Sequence, residues 1–191
     1  LHTFGTLAID DQYVYLSDDF FVERIPKRGG APQVIAQLGG PSMLGIALDD
    51  DHVYFTEMAS DSVRSVDKSG GETATFARTC TPGSVAAADG YVYWTACLDA
   101  SLYRAPGASE PAVALVPGRY AAHDFAVTSD HIYFPSGGGF DVPGGIYRID
   151  PDGGDIQMLT GGRCGYWGIA VDTTTVYFTN HVEGTVNTIE R

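Results

Sequence analysis

No stretch of this sequence sustains the 3.6-residue apolar period of an amphipathic helix. Instead one short phrase recurs: a β-branched residue, an aromatic, a bulky apolar residue and, as a rule, a small polar one. It reads Val14-Tyr15-Leu16-Ser17, Val53-Tyr54-Phe55-Thr56, Val92-Tyr93-Trp94-Thr95, Ile132-Tyr133-Phe134-Pro135 and Val176-Tyr177-Phe178-Thr179, in steps of 39, 39, 40 and 44 residues. Strand-forming phrases at a period near forty predict the blades of a β-propeller, in which each unit covers the apolar face of the next.

Aligned on that phrase, the rest of each unit becomes legible. Ahead of it stands a small apolar strand that tends to end on an acid: Leu7-Ala8-Ile9-Asp10, Ile46-Ala47-Leu48-Asp49, Val85-Ala86-Ala87-Ala88, Phe125-Ala126-Val127-Thr128 and Ile169-Ala170-Val171-Asp172. The repeated alanine suits an innermost strand, where neighbouring backbones crowd. Turns at Asp10-Asp11-Gln12, Asp50-Asp51-His52 and Asp89-Gly90 then reverse the chain. Third strands are predicted at 22–25, 63–66, 102–105, 146–149 and 186–189, with Gly-Gly hairpin signals at Gly29-Gly30, Gly70-Gly71 and Gly153-Gly154. Fourth strands are predicted at about 33–38, 73–77, 112–116 and 156–160.

The prediction is therefore an all-β propeller of about five four-stranded antiparallel blades. It forms a single domain over 1–191, with repeats at approximately 1–38, 39–78, 79–117, 118–160 and 161–191. The fifth repeat stops after its third strand, so the last blade lacks its outer strand. Residues 1–4 align with 40–43, too short and too late to supply it. Either the ring closes on a three-stranded blade or the chain is a fragment of a larger propeller. An open sheet edge needs a shield, and self-association through that edge is one expectation.

Composition adds little to the fold and something to the partners. A formal charge of -13 repels phosphate backbones, so nucleic acid is a poor partner, and no apolar run approaches the ~20 residues of a membrane helix. Acidity keeps an exported protein soluble, and calcium or a cationic partner is the sharper reading. Cys80, Cys97 and Cys164 make no zinc spacing. A Cys80–Cys97 disulfide is geometrically reasonable across the third hairpin and would point to an oxidising compartment; the alternative is three reduced thiols.

Three stretches carry a resemblance: Val92-Tyr93-Trp94-Thr95, Tyr147-Arg148-Ile149-Asp150-Pro151-Asp152-Gly153-Gly154 and Gly168-Ile169-Ala170-Val171-Asp172. With them the chain resembles, over essentially its whole length, the YWTD, NHL and TolB-like group of β-propellers. The resemblance implies the fold and leaves activity open, since the group includes receptor ectodomain modules, scaffolds and metal-assisted lyases or lactonases. The group usually closes with six blades. The acid that should follow the phrase is present as Asp18 and Glu57, then replaced by Ala96, Ser136 and Asn180.

Loops entering the first strand and leaving the second share one face of a propeller, at the mouth of its channel. There His123-Asp124 replaces the small residues of the other repeats, and His181 lies in the neighbouring repeat. With Glu57 they could bind a divalent metal such as calcium or zinc, which would activate water for a lyase or hydrolase step; the alternative is solvated loop residues. Tyr166, Trp167, Tyr120 and Phe140, the last in the loop of residues 136–143, could stack on a sugar or anchor a peptide, or could simply pack between blades. No Ser-His-Asp arrangement or phosphate-cradling loop is present, and Asp10-Asp11 and Asp49-Asp50-Asp51 read as turn residues. The leading expectation is an extracellular or periplasmic, non-catalytic binding or scaffolding module for a peptide, protein or glycan, without a cofactor. The alternative is a metal-assisted lyase or hydrolase.

Overall fold

A computed structural model describes residues 6–18, 20–40, 45–96, 99–108, 110–120, 122–138, 141–162 and 165–191, the side chains of Arg119 and Tyr166 excepted. Antiparallel sheets follow one another along the chain. β1 (Leu7–Ile9), β2 (Tyr13–Ser17), β3 (Phe21–Pro26) and β4 (Gln33–Gln37) form the first, and β5 (Ile46–Leu48), β6 (His52–Glu57), β7 (Ser62–Asp67) and β8 (Ala74–Arg78) the second. The third holds β9 (Pro82–Ala88), β10 (Tyr91–Ala96), β11 (Ser101–Ala105) and β12 (Val113–Val116); the fourth β13 (Ala126–Val127), β14 (Ile132–Ser136), β15 (Gly145–Ile149) and β16 (Gln157–Gly161). A fifth has three strands, β17 (Tyr166–Val171), β18 (Thr175–Asn180) and β19 (Thr185–Glu190). This is the predicted meander, matching a propeller of about five blades whose last is one strand short. Helix among the described residues is limited to single 3-10 turns at Met58–Ser60 and Gly118–Tyr120, and no helix is long and apolar enough to cross a membrane.

The acid at the end of the first strand explains the reversal into the second. Asp10 Oδ1 accepts the N–H groups of Gln12 (2.9 Å) and Tyr13 (2.8 Å), and its Oδ2 accepts the Tyr15 hydroxyl at 3.0 Å. Asp49 does the same for Asp51, His52 and Tyr54, and Asp172 for Thr174, Thr175 and Tyr177. The carboxylate imitates a backbone carbonyl inside the turn and fastens the aromatic strand from below. Where the third repeat has Ala88, the turn is carried by Asp89 at φ 50 and Gly90 at φ 78, the two left-handed residues of a hairpin turn. The fourth repeat has Thr128, whose hydroxyl accepts from the His131 N–H at 3.1 Å.

The chain divides into two compact units, Leu1–Trp94 with Ala105–Pro111, and Thr95–Arg104 with Ala112–Arg191. In the first, Tyr15, Val22, Ile35, Ala36, Leu38, Ile46, Val53, Phe55 and Val66 form one buried cluster between the first two sheets. Phe76 meets Tyr54 and Trp94 edge-on, with ring centroids 5.3 and 6.2 Å away. Crowding of the first strands is literal: a Cβ at Gly45 would stand 2.8 Å from the Val85 nitrogen. Arg24 Nη1 donates to the Lys68 carbonyl at 2.7 Å, joining β3 to the Gly-Gly turn of the next sheet.

In the second unit Tyr133, Ile146, Val176 and Phe178 are the buried centre, with Leu159, Ile169, Val171 and Ile189 packed against them. The same latch recurs: Arg104, in the repeat position of Arg24, donates to the Pro151 carbonyl. Gly153, at φ +94, lets that turn approach Leu115, where a Cβ would come within 3.2 Å of its side chain. Cys80 is an exposed free thiol; Cys97, its expected partner, lies outside the described residues, as does Cys164.

Candidate functional site

Within the second unit, β17 is where the repeat departs furthest from its template. Its pairing with β18 runs from Tyr166↔Asn180 directly to Ile169↔Phe178, so Trp167 and Gly168 together face Thr179. This bulge turns a side chain off the regular face of the strand. The Gly168 N–H left by it is taken by Thr179 Oγ1 at 2.9 Å. Trp167 is 62% exposed as a result.

Two histidines flank that indole. The His123 ring stacks on it at 6.1 Å and 19°, and the His181 ring meets it edge-on at 5.7 Å and 89°. His181 is held by its own backbone: the Gly165 carbonyl accepts both its N–H and its ring Nδ1, each at 2.9 Å. A carbonyl only accepts, so Nδ1 carries the hydrogen and Nε2 is the acceptor of the neutral ring. The loop behind it is fixed by Asn180, whose Oδ1 accepts the N–H groups of Val182 and Glu183 at 3.1 and 3.2 Å. Asp124 Oδ2 accepts the Ile169 N–H at 3.3 Å, tying the segment ahead of β13 to β17.

Thus the structure brings His123, His181 and Trp167 into contact, with Asp124 bonded farther along β17, although sequence reasoning assigned these residues to two different sites. The other candidates have different surroundings. Glu57, in the first unit, is 1% exposed. Its carboxylate accepts from the Gly39 N–H at 2.7 Å, from Arg64 Nη1 at 3.1 Å and from the Ser60 hydroxyl. Burial pushes its carboxyl up, but the Ser60 hydroxyl, the Gly39 N–H and Arg64 outweigh that and hold it below the usual range. That is an internal structural acid rather than one presented at an open mouth. Tyr120 is half-buried, edge-on to Phe134 and Tyr147 at 6.0 and 5.3 Å, which is packing. Phe140 and the side chain of Tyr166 lie outside the described residues. Among the described residues no three His, Cys, Asp or Glu side chains are gathered as a metal would need.

The positions that follow the aromatic phrase clarify the missing acids. Asp18 Oδ1 accepts the N–H groups of Phe20 and Phe21, Ser136 Oγ accepts that of Gly138, and Asn180 serves its own loop as above. Serine and asparagine keep the acceptor while losing the charge. In the third repeat, with Ala96, the acceptor is Asp99, which takes the Ser101 N–H at 3.1 Å. The fold is that of the YWTD and NHL-like propellers.

Solved structures agree. A crystal structure of a nidogen/laminin complex superposes with TM-score 0.81 at 17% identity, covering 99% of this chain and 76% of that one. A streptogramin B lyase structure gives 0.72 at 15% identity, covering 97% and 67%. The computationally designed Ika8 protein gives 0.74 at 17% identity, covering 97% and 57%. At such identities the likeness is one of fold. No family model and no curated protein matches the chain.

A hollow of about 920 Å³ in the first unit was not foreseen. Its rim carries Asp10, Asp11, Asp49, Asp50 and Asp51, from successive first-to-second-strand turns, and Lys68, from the turn between β7 and β8. Asp10 and Asp49 are already spent on turn N–H groups and tyrosines. The hollow follows from turn chemistry repeated side by side.

Proposed function

We propose that residues 1–191 act as one non-catalytic binding or scaffolding domain that recognises a peptide, protein or glycan through the surface around Trp167, outside the cytoplasm. The observation that carries this reading is the indole itself: 62% exposed, set out by a bulge and braced by His123 and His181. An aromatic fixed in this way loses little side-chain entropy when a partner covers it, and its flanking imidazoles offer hydrogen bonds at the rim. A sugar ring or an apolar peptide side chain is the matching surface. The presence of the same fold in a complex of two proteins, nidogen with laminin, supports a protein partner.

A metal-assisted lyase or hydrolase is the second reading, supported by the shared fold with a streptogramin B lyase and by His123 and His181 flanking one indole, with Asp124 bonded to the Ile169 N–H of the same strand. One experiment separates the two. Wild type and Trp167→Ala are compared on a glycan array and a peptide library, with elemental analysis after dialysis and melting curves with and without calcium or zinc. The binding reading expects hits that weaken at least about tenfold in the variant, as hot-spot aromatics do, and melting indifferent to both ions. Bound metal at one per chain, with ion-dependent melting and no hit dependent on Trp167, would overturn it in favour of the enzyme.

A further inference from the structure

Charge is distributed unevenly around the Trp167 indole. The second unit has no lysine, and its acids outnumber its arginines. The arginine side chains described there are engaged within the chain: Arg104 with the Pro151 carbonyl, Arg148 with the Gln157 side chain, and Arg191 with Thr128, Asp130 and Tyr133. Among the described residues the rings that meet Trp167 are those of His123 and His181.

The loop after β18 supplies the rest of this surface. Asn180 Oδ1 accepts the N–H groups of Val182 and Glu183, which fixes both beside His181. Val182 is 60% exposed, and Glu183 and His181 are exposed as well. Because the Gly165 carbonyl takes Nδ1 of His181, Nε2 is its acceptor. An open indole, an acceptor nitrogen, an apolar side chain and a carboxylate therefore come together where β17 begins and β18 ends. None of this derives from the outer edge of the sheet. β17 is the first strand, β18 separates it from β19, and the ring stacked on Trp167 comes from the preceding repeat.

These groups suit one kind of side chain. The face of an indole attracts a cation more strongly than that of any other aromatic residue. A guanidinium is planar, weakly hydrated and edged with N–H donors, so it can lie on the indole and donate to an imidazole nitrogen at once. Its methylenes cover an apolar neighbour such as Val182. Its charge is favoured by Glu183 and by the net charge of -13. A neutral sugar or an aliphatic side chain would also cover the indole, but would gain nothing from the carboxylate.

We infer, resting on the binding role proposed for the Trp167 surface, that this surface is a subsite for an arginine side chain of a partner polypeptide. Charge complementarity selects the residue, and the braced indole provides its platform.

The test uses N-acetyl-arginine methylamide as the probe and the ¹⁵N-labelled full chain, followed through its two indole N–H signals, with Trp167→Ala assigning them. The Trp167 signal should shift saturably while that of buried Trp94 stays in place. The citrulline analogue, equal in shape but uncharged, should bind about threefold more weakly or worse. Glu183→Gln should weaken the arginine probe roughly twofold to fivefold, and Glu190→Gln, which removes the same charge at the far end of β19, should leave it unchanged. No saturation up to about 30 mM, roughly the dissociation constant of a single well-formed cation–π contact, overturns the inference. So does equal binding of the citrulline analogue, or equal losses in Glu183→Gln and Glu190→Gln, which would make the attraction general. Peptide or glycan hits that depend on Trp167 but keep their affinity without arginine would overturn the arginine subsite and leave the binding role standing. No dependence on Trp167 for any ligand would remove both.

Discussion

Nζ of Lys68 lies 3.3 Å from Oδ2 of Asp10, so the hairpin of the second sheet neutralises the carboxylate that closes the first turn of the first sheet. The second unit repeats the relationship with different residues. Arg191, at the position of Lys68 in its own repeat, donates to Thr128 Oγ1 at 3.1 Å, pairs with Asp130 and reaches the Tyr133 hydroxyl at 3.1 Å. Thr128 stands where Asp10 stands, and Tyr133 where Tyr15 does. A cation from one blade thus fastens the turn of the blade before it, and when the turn loses its aspartate the cation takes over the tyrosine.

That arrangement makes the first unit acid-sensitive in a defined window. Burial pushes the Asp10 carboxyl up, but the N–H groups of Tyr13 and Gln12, the Tyr15 hydroxyl and Lys68 together bring it down to about 2. A folded value below the unfolded one contributes stability that is complete above about pH 4 and is lost as the pH falls towards 2. Asp49 is shifted in the same direction, by the Tyr54 hydroxyl and turn N–H groups against its burial. Urea midpoints for wild type should drop between pH 4 and 2, with a shallower drop for Asp10→Asn and a lower starting point at pH 7. Parallel profiles for the two proteins would refute the assignment.

The tyrosine of the aromatic phrase should matter through its hydroxyl as well as its ring. Tyr54 is 8% exposed and donates to Asp49 Oδ2 at 2.7 Å. Tyr54→Phe keeps the edge-on contact with Phe76 and removes only that bond, so a loss of about 1.5–3 kcal/mol is expected, the range for a hydrogen bond to a charged acceptor. Equilibrium denaturation measures it. The Asp49→Ala, Tyr54→Phe double variant should lose less than the sum of the single losses, because both break the same bond.

Those tyrosines show what the sequence could and could not disclose. The spacing of the phrase placed every sheet, because strand pairing and blade stacking impose one repeat length that survives substitution. Asp10, Asp49 and Asp172 were legible as turn acids, since the turn demands an acceptor there. Their bonds to a tyrosine five residues on were not, because that reach depends on side-chain direction. The site was legible only as a list. His123, Asp124 and His181 stood out as exceptions to the repeat, yet the meeting of the two histidines on Trp167 depends on a bulge. A bulge adds residues without any mark in hydrophobic pattern, and Gly165 and Asn180, which hold His181, look like ordinary loop residues. The surroundings of Glu57 were hidden for the opposite reason: the motif position predicted the acid, while Ser60 and Arg64, which enclose it, sit outside the motif.

Glu57 should accordingly behave as a stability residue. Its carboxylate is buried with Arg64 Nη1 at 3.1 Å, and removing one member of such a pair leaves the other charge uncompensated. Glu57→Ala is expected to lower stability by about 3 kcal/mol, and Glu57→Gln, which still accepts from the Gly39 N–H, by less. Denaturant unfolding reads both. A Glu57→Ala protein as stable as wild type would place the acid in some other role.

The last prediction separates the support of the Trp167 surface from its contact residue. Gly165 sits at φ +140, and a Cβ there would stand 2.6 Å from Val182 Cγ2 and 3.0 Å from Asn180 Oδ1. Gly165→Ala must therefore shift the carbonyl that holds both the backbone and the ring of His181. Trp167→Ala instead removes a side chain that is already 62% exposed and should leave the melting temperature within the scatter of surface substitutions. Fluorescence distinguishes the two cases, since Trp94, the other tryptophan, is 1% exposed. Acrylamide should quench wild type in two components, with the accessible one absent from Trp167→Ala. In Gly165→Ala that component should remain but change in lifetime, as the edge-on His181 ring moves away from the indole. A Gly165→Ala protein with wild-type quenching and wild-type ligand affinity would show that the brace is dispensable.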